Sequence, residues 1–148
     1  MKTGEKAFDF SLKDQDENTV KLSDFKGQKV LLSFHPLAWT GVCAHQMKDL
    51  EENYSSFSVK NTVPLGISID AVPAKKAWAD DLGLENLKIL SDFWPHGEVA
   101  TKFGVFLEDE GFAARANVLI DENGEILFKK VYETGDVPDL DDIFSRLD

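Results

Sequence analysis

Two nearly unbroken apolar runs, residues 29–34 (KVLLSF) and residues 63–70 (VPLGISID), constrain this chain most. A strand with one face in water alternates apolar and polar residues. These runs do not alternate, so both of their faces must be covered. Parallel strands joined by a crossover helix meet that demand. The intervening segment supplies the helix. Its apolar residues Cys43, Met47, Leu50, Tyr54 and Phe57 recur at spacings of four, three, four and three, which predicts a helix running to about residue 57.

The rest of the chain extends this unit. Phe8, Phe10 and Leu12 alternate up to a polar turn at residues 14–18, and residues 19–22 return, predicting a short hairpin. Pro73 opens a second helix, with Ala74, Ala77, Trp78 and Leu82 facing inward and Gly83 near its stop. Residues 87–91 read as a short strand. Pro95 opens a helix that carries Val99 and Phe103 and stops near Gly104. Residues 115–121 and 125–132 form a hairpin around Glu122-Asn123-Gly124, where Asn-Gly is a strong turn signal. Pro138 begins the last helix, with Leu140, Ile143, Phe144 and Leu147 inward, Asp139, Asp141 and Asp142 at its positive end and Arg146 at its negative end. The expected architecture is a mixed α/β three-layer sandwich in one domain, residues 1–148.

Composition narrows the functional classes. Acidic residues outnumber basic ones 27 to 16, giving a net charge of −11. Non-specific nucleic-acid binding and attachment to an anionic membrane both need clustered Lys or Arg, so neither is expected. No apolar run approaches the roughly 20 residues of a membrane span, and the first ten residues lack a signal-peptide core. A cytoplasmic protein is expected. Cys43 is the only cysteine. An intrachain disulfide, a CxxC redox pair and a multi-cysteine zinc site are therefore excluded. Redox chemistry here must take its second sulfur from another molecule.

The chemistry concentrates in His35-Pro36-Leu37-Ala38-Trp39-Thr40-Gly41-Val42-Cys43. A buried strand ends, a stiff loop follows, and a thiol stands in the first turn of a helix. Unpaired backbone N–H groups and the helix dipole favour negative charge there. A free thiol is only a few per cent ionised at neutral pH, so full ionisation gains about thirtyfold at most. Nucleophilicity also falls as acidity rises. Fast chemistry therefore needs donors aimed at the reacting atoms as well. Thr40, one helical turn before Cys43, brings a hydroxyl that both donates and accepts. Pro36 stiffens the loop and offers no competing N–H. Arg115 and Arg146 are the only arginines. Arg115, among Phe112, Ala113, Ala114 and Ala116, is the one in apolar company, where a guanidinium needs a specific partner.

Other readings exist for the same residues. A cysteine on the apolar face of a helix is often an inert core residue, as in a thioredoxin-like binding or holdase module. A redox sensor would share only the first chemical step. His35, Cys43 and His45 are close in sequence, but Cys43 and His45, two apart on a helix, point in different directions and do not share a metal. No acyl-transfer signature surrounds Cys43 to pair it with His45 or His96 in a hydrolase.

The pattern Pro36-x-x-x-Thr40-x-x-Cys43, set between a buried strand and a helix, resembles the active-site motif of the peroxiredoxins. Arg115 stands where that family has its arginine. The stretches FDFSLKDQDENTVKLSDFKGQKVLLSF, SDFWPHGEVATKFGV and GFAARANVLIDENGEI resemble its one-cysteine alkyl hydroperoxide reductase E group, and the likeness runs from about residue 4 to 147. The resemblance implies a thioredoxin-like fold with an N-terminal β-hairpin extension. It implies a thiol-dependent peroxidase in which Cys43 attacks a hydroperoxide, Thr40 and Arg115 bind the transferring oxygens and Pro36 shields the sulfur. An external thiol or small redox protein would recycle the resulting sulfenic acid. It also implies a homodimer packed through loops near the site, with Trp78 or Trp94 as contacts. No metal, haem, flavin or nicotinamide cofactor is implied, and the sequence has no Gly-rich dinucleotide loop. Gln46 stands where many members carry Glu, keeping hydrogen bonding and losing the charge. Phe34, Trp39 and Phe93, with Trp94 and Phe106, are the candidates for a substrate mouth.

Overall fold

The computed structural model describes all residues 1–148. Strand β3 (Lys29–Phe34) pairs in parallel with β4 (Thr62–Ser68), which pairs in parallel with β5 (Lys88–Ser91). Here are the two doubly covered apolar runs, side by side. The closing hairpin, β8 (Arg115–Ile120) and β9 (Ile126–Tyr132), adds antiparallel pairing on the other flank of β3. The N-terminal hairpin, β1 (Ser11–Lys13) and β2 (Thr19–Lys21), extends the β5 edge. The seven-stranded order is β2-β1-β5-β4-β3-β8-β9, the expected mixed sheet with its hairpin extension.

Strand periodicity sorts the core into two halves. Val30, Leu32 and Phe34 join Leu65, Ile67, Val118 and Ile120 on one face, against Val99 and Ala100 of the helix Glu98–Lys102 (α4) and Phe103 just after it. Leu31, Ile89 and Leu119 point the other way. They meet Cys43, Met47 and Leu50 of α1 (Gly41–Glu52), Phe57 of α2 (Tyr54–Val59), Trp78 of α3 (Val72–Leu82) and Ile143 of α5 (Asp141–Phe144). Each fully buried large apolar side chain stabilises the fold by about 1.5–3 kcal/mol.

Several boundaries differ from the expectation. The long helix breaks at Asn53, whose φ of −100° and ψ of 10° leave the helical range. Its side-chain amide donates to the Asp49 carbonyl at 2.8 Å, competing with helix propagation. Helix α3 has Pro73 near its start and Gly83 at φ 70° as its stop, as read, but its inward face is rotated. Lys75, Trp78 and Ala79 are buried while Ala77 is exposed. The helix expected from Pro95 begins only at Glu98, because Gly97 before it is left-handed at φ 66°. The last helix starts at Asp141 rather than Pro138 and is a single turn. A two-stranded ribbon, β6 (Phe106–Leu107) with β7 (Phe112–Ala113), had no counterpart in the sequence reading.

One glycine governs the spacing between α1 and the sheet. A Cβ at Gly66 would lie 2.5 Å from Met47 Sδ and 3.0 Å from Ile89 Cγ2. Gly66→Ala is therefore expected to lower the unfolding free energy by about 1–3 kcal/mol through overpacking. Urea denaturation measures it, and an unchanged midpoint would show that the face repacks freely.

Candidate active site

The site forms where the carboxyl end of β3 meets the first turn of α1. The loop between them is held from below. Asp70, after β4, accepts from the Ala38 amide at 2.8 Å and from the Ser68 hydroxyl at 2.5 Å. Pro36 is buried in this loop, and Trp39 takes a positive φ of 68° to turn it. Thr40 caps α1 in an extended conformation, and Cys43 is the third residue of the helix. The amides of Gly41, Val42 and Cys43 thus open the helix without intrahelical acceptors.

Cys43 is fully buried, yet its sulfur is not enclosed in hydrocarbon alone. Arg115 Nη1 donates to Cys43 Sγ at 3.3 Å and to Gln46 Oε1 at 2.7 Å, and Arg115 Nε donates to the Thr134 carbonyl at 2.9 Å. Arg115 is 3% exposed and no carboxylate contacts its guanidinium. A buried cation normally carries a counter-charge. Among its acceptors only the sulfur can become an anion.

Gln46 orients this arginine, so the loss of a Glu charge has not cost the contact. Its Nε2 donates to the Ser33 hydroxyl at 2.6 Å and to the Phe34 carbonyl at 3.2 Å. The Phe34 carbonyl can only accept, which turns Oε1 toward Arg115. Ser33 in turn donates to Asn117 Oδ1 at 2.8 Å. Ser33 and Asn117 are opposite each other across β3 and β8, and Arg115 precedes Asn117 by two residues on the same face. A polar stripe thereby crosses an apolar sheet directly under Cys43.

The remaining expected residues divide. The Thr40 hydroxyl donates to the Leu37 carbonyl at 2.9 Å, and the residue is exposed at the head of α1. Phe34 does not line a mouth. Its side chain leaves the opposite face of β3 and packs on Phe103 with ring centroids 5.9 Å apart. Trp78, at 1% exposure, is a core residue against His35 and is closed to a second copy. Trp39, Phe93 and Trp94 are exposed on the loops after β3 and β5, at the same end of the sheet as Cys43. Phe106 is half-buried against His96. A groove of about 420 Å³ lined by Lys6, Phe25, Val30 and Asn123 sits at the other end of β3 and does not reach the sulfur.

Sequence reasoning missed Ser33, Asn117, Asp70 and Lys75. A signal existed for the first two, since each is a polar residue flanked on both sides by apolar ones within its strand. Lys75 stands three residues before Trp78, hence on the same helix face. It is fully buried, and its ammonium lies 3.3 Å from His35 Nε2.

A model of the AhpC/TSA family matches residues 3–129. The chain is 39% identical over 140 residues to the alkyl hydroperoxide reductase E of Mycobacterium tuberculosis, a match covering 94% of this chain and 91% of the relative. It is 35% identical over 144 residues to the thiol peroxidase of Staphylococcus saprophyticus, covering 95% and 84%. The fold matches the crystal structure of Enterococcus faecalis AhpC with a TM-score of 0.89 at 27% identity, over 98% of this chain and 89% of that one.

Gln46→Leu tests the stripe. It removes the Gln46 donor from Ser33 Oγ and the Gln46 acceptor from Arg115 Nη1, which costs about 1–3 kcal/mol of stability. Freed guanidinium geometry should also slow oxidation of Cys43 by about 10–100-fold. Stopped-flow tryptophan fluorescence with peroxide reads the second effect, and an unchanged rate would remove Gln46 from the positioning of Arg115.

Proposed function

The chain belongs to the AhpC/TSA family, the peroxiredoxins, and is a thiol-dependent peroxidase; from that premise we propose that Cys43 is its peroxidatic cysteine and that its cycle uses no second cysteine of its own. The observation that carries this reading is the buried Arg115 guanidinium at 3.3 Å from Cys43 Sγ, with no carboxylate to neutralise it. An ionised sulfur is the counter-charge such a group requires.

In the proposed first step the Cys43 thiolate attacks the terminal oxygen of ROOH in line. The S–O bond forms with the sulfur lone pair as the O–O bond breaks, and the hydroxyl stays on sulfur as sulfenic acid. The leaving alkoxide takes a proton from solvent and departs as ROH. Charge grows on the two oxygens during this step. Arg115 and the amides at the head of α1 are the donors placed to stabilise it. Thr40 has spent its proton on the Leu37 carbonyl, so its oxygen is left to accept the peroxide O–H. Pro36 closes one side of the pocket without adding a donor. An external thiol then attacks the sulfenic sulfur, releasing water and leaving a mixed disulfide. A second thiol restores Cys43.

We assign the exposed rings of Trp39, Phe93 and Trp94 to the rim through which an organic hydroperoxide enters, and to the contact with a second copy in a homodimer. We read residues 1–148 as one catalytic domain and place it in the cytoplasm, where a lone thiol stays reduced. No helix is long and apolar enough to cross a membrane.

Cys43→Ser should abolish peroxide consumption with a thiol reductant; retained turnover ends this reading. Arg115→Ala should slow peroxide attack by about 10²–10³-fold, the usual loss when a transition-state donor is removed. Ionisation alone accounts for about thirtyfold at most, so the deficit should persist at a pH where both thiols are fully ionised. A deficit that vanishes there would leave Arg115 with no contact to the reacting oxygens. Thr40→Val should be slow and Thr40→Ser near wild type, measured by competition kinetics.

A further inference from the structure

The mechanism above leaves one buried titratable pair unused. Lys75 projects from α3 into the layer that holds Cys43, and its only hydrogen-bond partner is His35 Nε2 at 3.3 Å. His35 Nδ1 donates to the Ser33 carbonyl at 3.4 Å, which leaves Nε2 with its lone pair toward the lysine. Both residues are wholly buried. The pair is held rigidly. His35 continues the β3–β4 pairing through its amide to the Ile67 carbonyl at 3.0 Å, and Trp78 packs on its ring at 5.5 Å. Gly66 leaves the space that His35 and Met47 fill, and Met47 lies one helical turn after Cys43.

Asp70 and Asp92 attract the ammonium by charge without bonding to it. Asp70 Oδ2 is engaged by Ala38 and Ser68, and both Asp92 oxygens are engaged by the amides of Val99 and Ala100. The charged and titratable groups facing Lys75 are thus His35 at the end of β3, Asp70 after β4, Asp92 after β5 and Cys43 on α1. Arg115 on β8 acts on the pair through His35.

We propose that Lys75, seated on His35, is a positioning residue for the peroxidase reaction: a buried cation that balances the Cys43 thiolate from the β5 side of the sheet while Arg115 binds it from the β8 side. The proposal rests on Cys43 being the reactive sulfur and adds a second charge that tunes it. A lysine kept merely for packing would be a poor choice, because burying an ammonium whose only hydrogen-bond partner is a neutral imidazole is costly. Burial pushes Lys75 down to about 7, against the pull of Asp70, Cys43 and Asp92. Burial, then the adjacent lysine, holds His35 well below the ordinary imidazole range, so His35 is the neutral acceptor. The balancing charge is therefore present below about pH 7 and lost as pH rises through it.

Coupling of this kind is reciprocal. If the thiolate is steadied by Lys75, the thiolate must also hold the proton on Lys75. The test titrates the Lys75 side chain by ¹³C NMR of the ε-carbon in reduced wild type and in Cys43→Ser. Loss of the anion is expected to lower the Lys75 midpoint by about 0.5–1 unit; coincident titrations overturn the proposal. This readout needs no turnover, so it fails or holds separately from the peroxide-consumption test of Cys43. Rapid oxidation kinetics of Lys75→Met supply the second arm. The variant should be about tenfold slower than wild type near pH 6, and the two should converge above about pH 8, where wild-type Lys75 is neutral. Its thermal midpoint should equal or exceed wild type because the buried ammonium is gone. A folded Lys75→Met with the wild-type rate and pH profile would also overturn the proposal.

Discussion

A buried guanidinium without a carboxylate is the constraint around which the rest of this structure is arranged. Arg115 gives its N–H groups to a main-chain carbonyl, a glutamine oxygen and the Cys43 sulfur. Desolvating a cation costs several kcal/mol, and polar but neutral acceptors return only part of that. The unspent attraction falls on the one neighbour able to ionise. The arginine and the helix head therefore act on the same atom, the first by charge and the second by oriented amides.

Holding that geometry requires polar groups where strands β3 and β8 would otherwise be wholly apolar. Ser33 and Asn117 face each other across the sheet and carry the hydrogen-bond chain that ends on Arg115 through Gln46. Such a network specifies one arrangement, because each member loses its partner if any other turns away. The loop is fixed by a different device. Asp70 ties the Ala38 amide to the end of β4, so the Pro36 loop moves with the sheet rather than with solvent. Strand ends, loop and helix head form a single rigid cradle, in keeping with catalytic groups placed on loops by a stiff scaffold.

The unbroken apolar runs at residues 29–34 and 63–70 made the central parallel pair legible, and Asn123-Gly124 made the closing hairpin legible. Both signals are local. The placing of Pro36, Thr40 and Cys43 at one strand–loop–helix junction was legible for the same reason, since the three lie within one short stretch of chain. Arg115 lies 72 residues from Cys43; composition marked it, and only the antiparallel pairing of β8 with β3 brings it to the sulfur. The errors came from choices that tertiary packing decides. Trp78 is buried, as the stripe through Ala74, Ala77, Trp78 and Leu82 predicts, but Lys75 and Ala79 are buried beside it while Ala77 is exposed, a choice between adjoining helical faces that packing makes. Phe34 is a candidate for the substrate mouth by sequence, but the two-residue period of a strand sends its ring to the far face. Asn53 interrupts a stripe whose periodicity runs on unchanged, because a side-chain amide competing for a carbonyl leaves no trace in the spacing.

The chain carries a net charge of −11, which by itself would oppose forming one more anion at Cys43. Placement overrides that sum. Two unit charges 4 Å apart interact by about 4 kcal/mol at an effective dielectric near 20. Exposed carboxylates beyond a Debye length of about 8 Å are largely screened at physiological salt. The acidic excess sits mostly on the surface, as in the Asp136, Asp139 and Asp141 stretch and at Glu108 to Glu110, whereas Arg115 and Lys75 are buried in the layer that holds the sulfur. An uncharged hydroperoxide is indifferent to the outer field, so the acidic surface does not hinder its approach. In the proposed mechanism the inner field acts once oxygen and sulfur are in contact and charge begins to move between them, which is where it would lower the barrier.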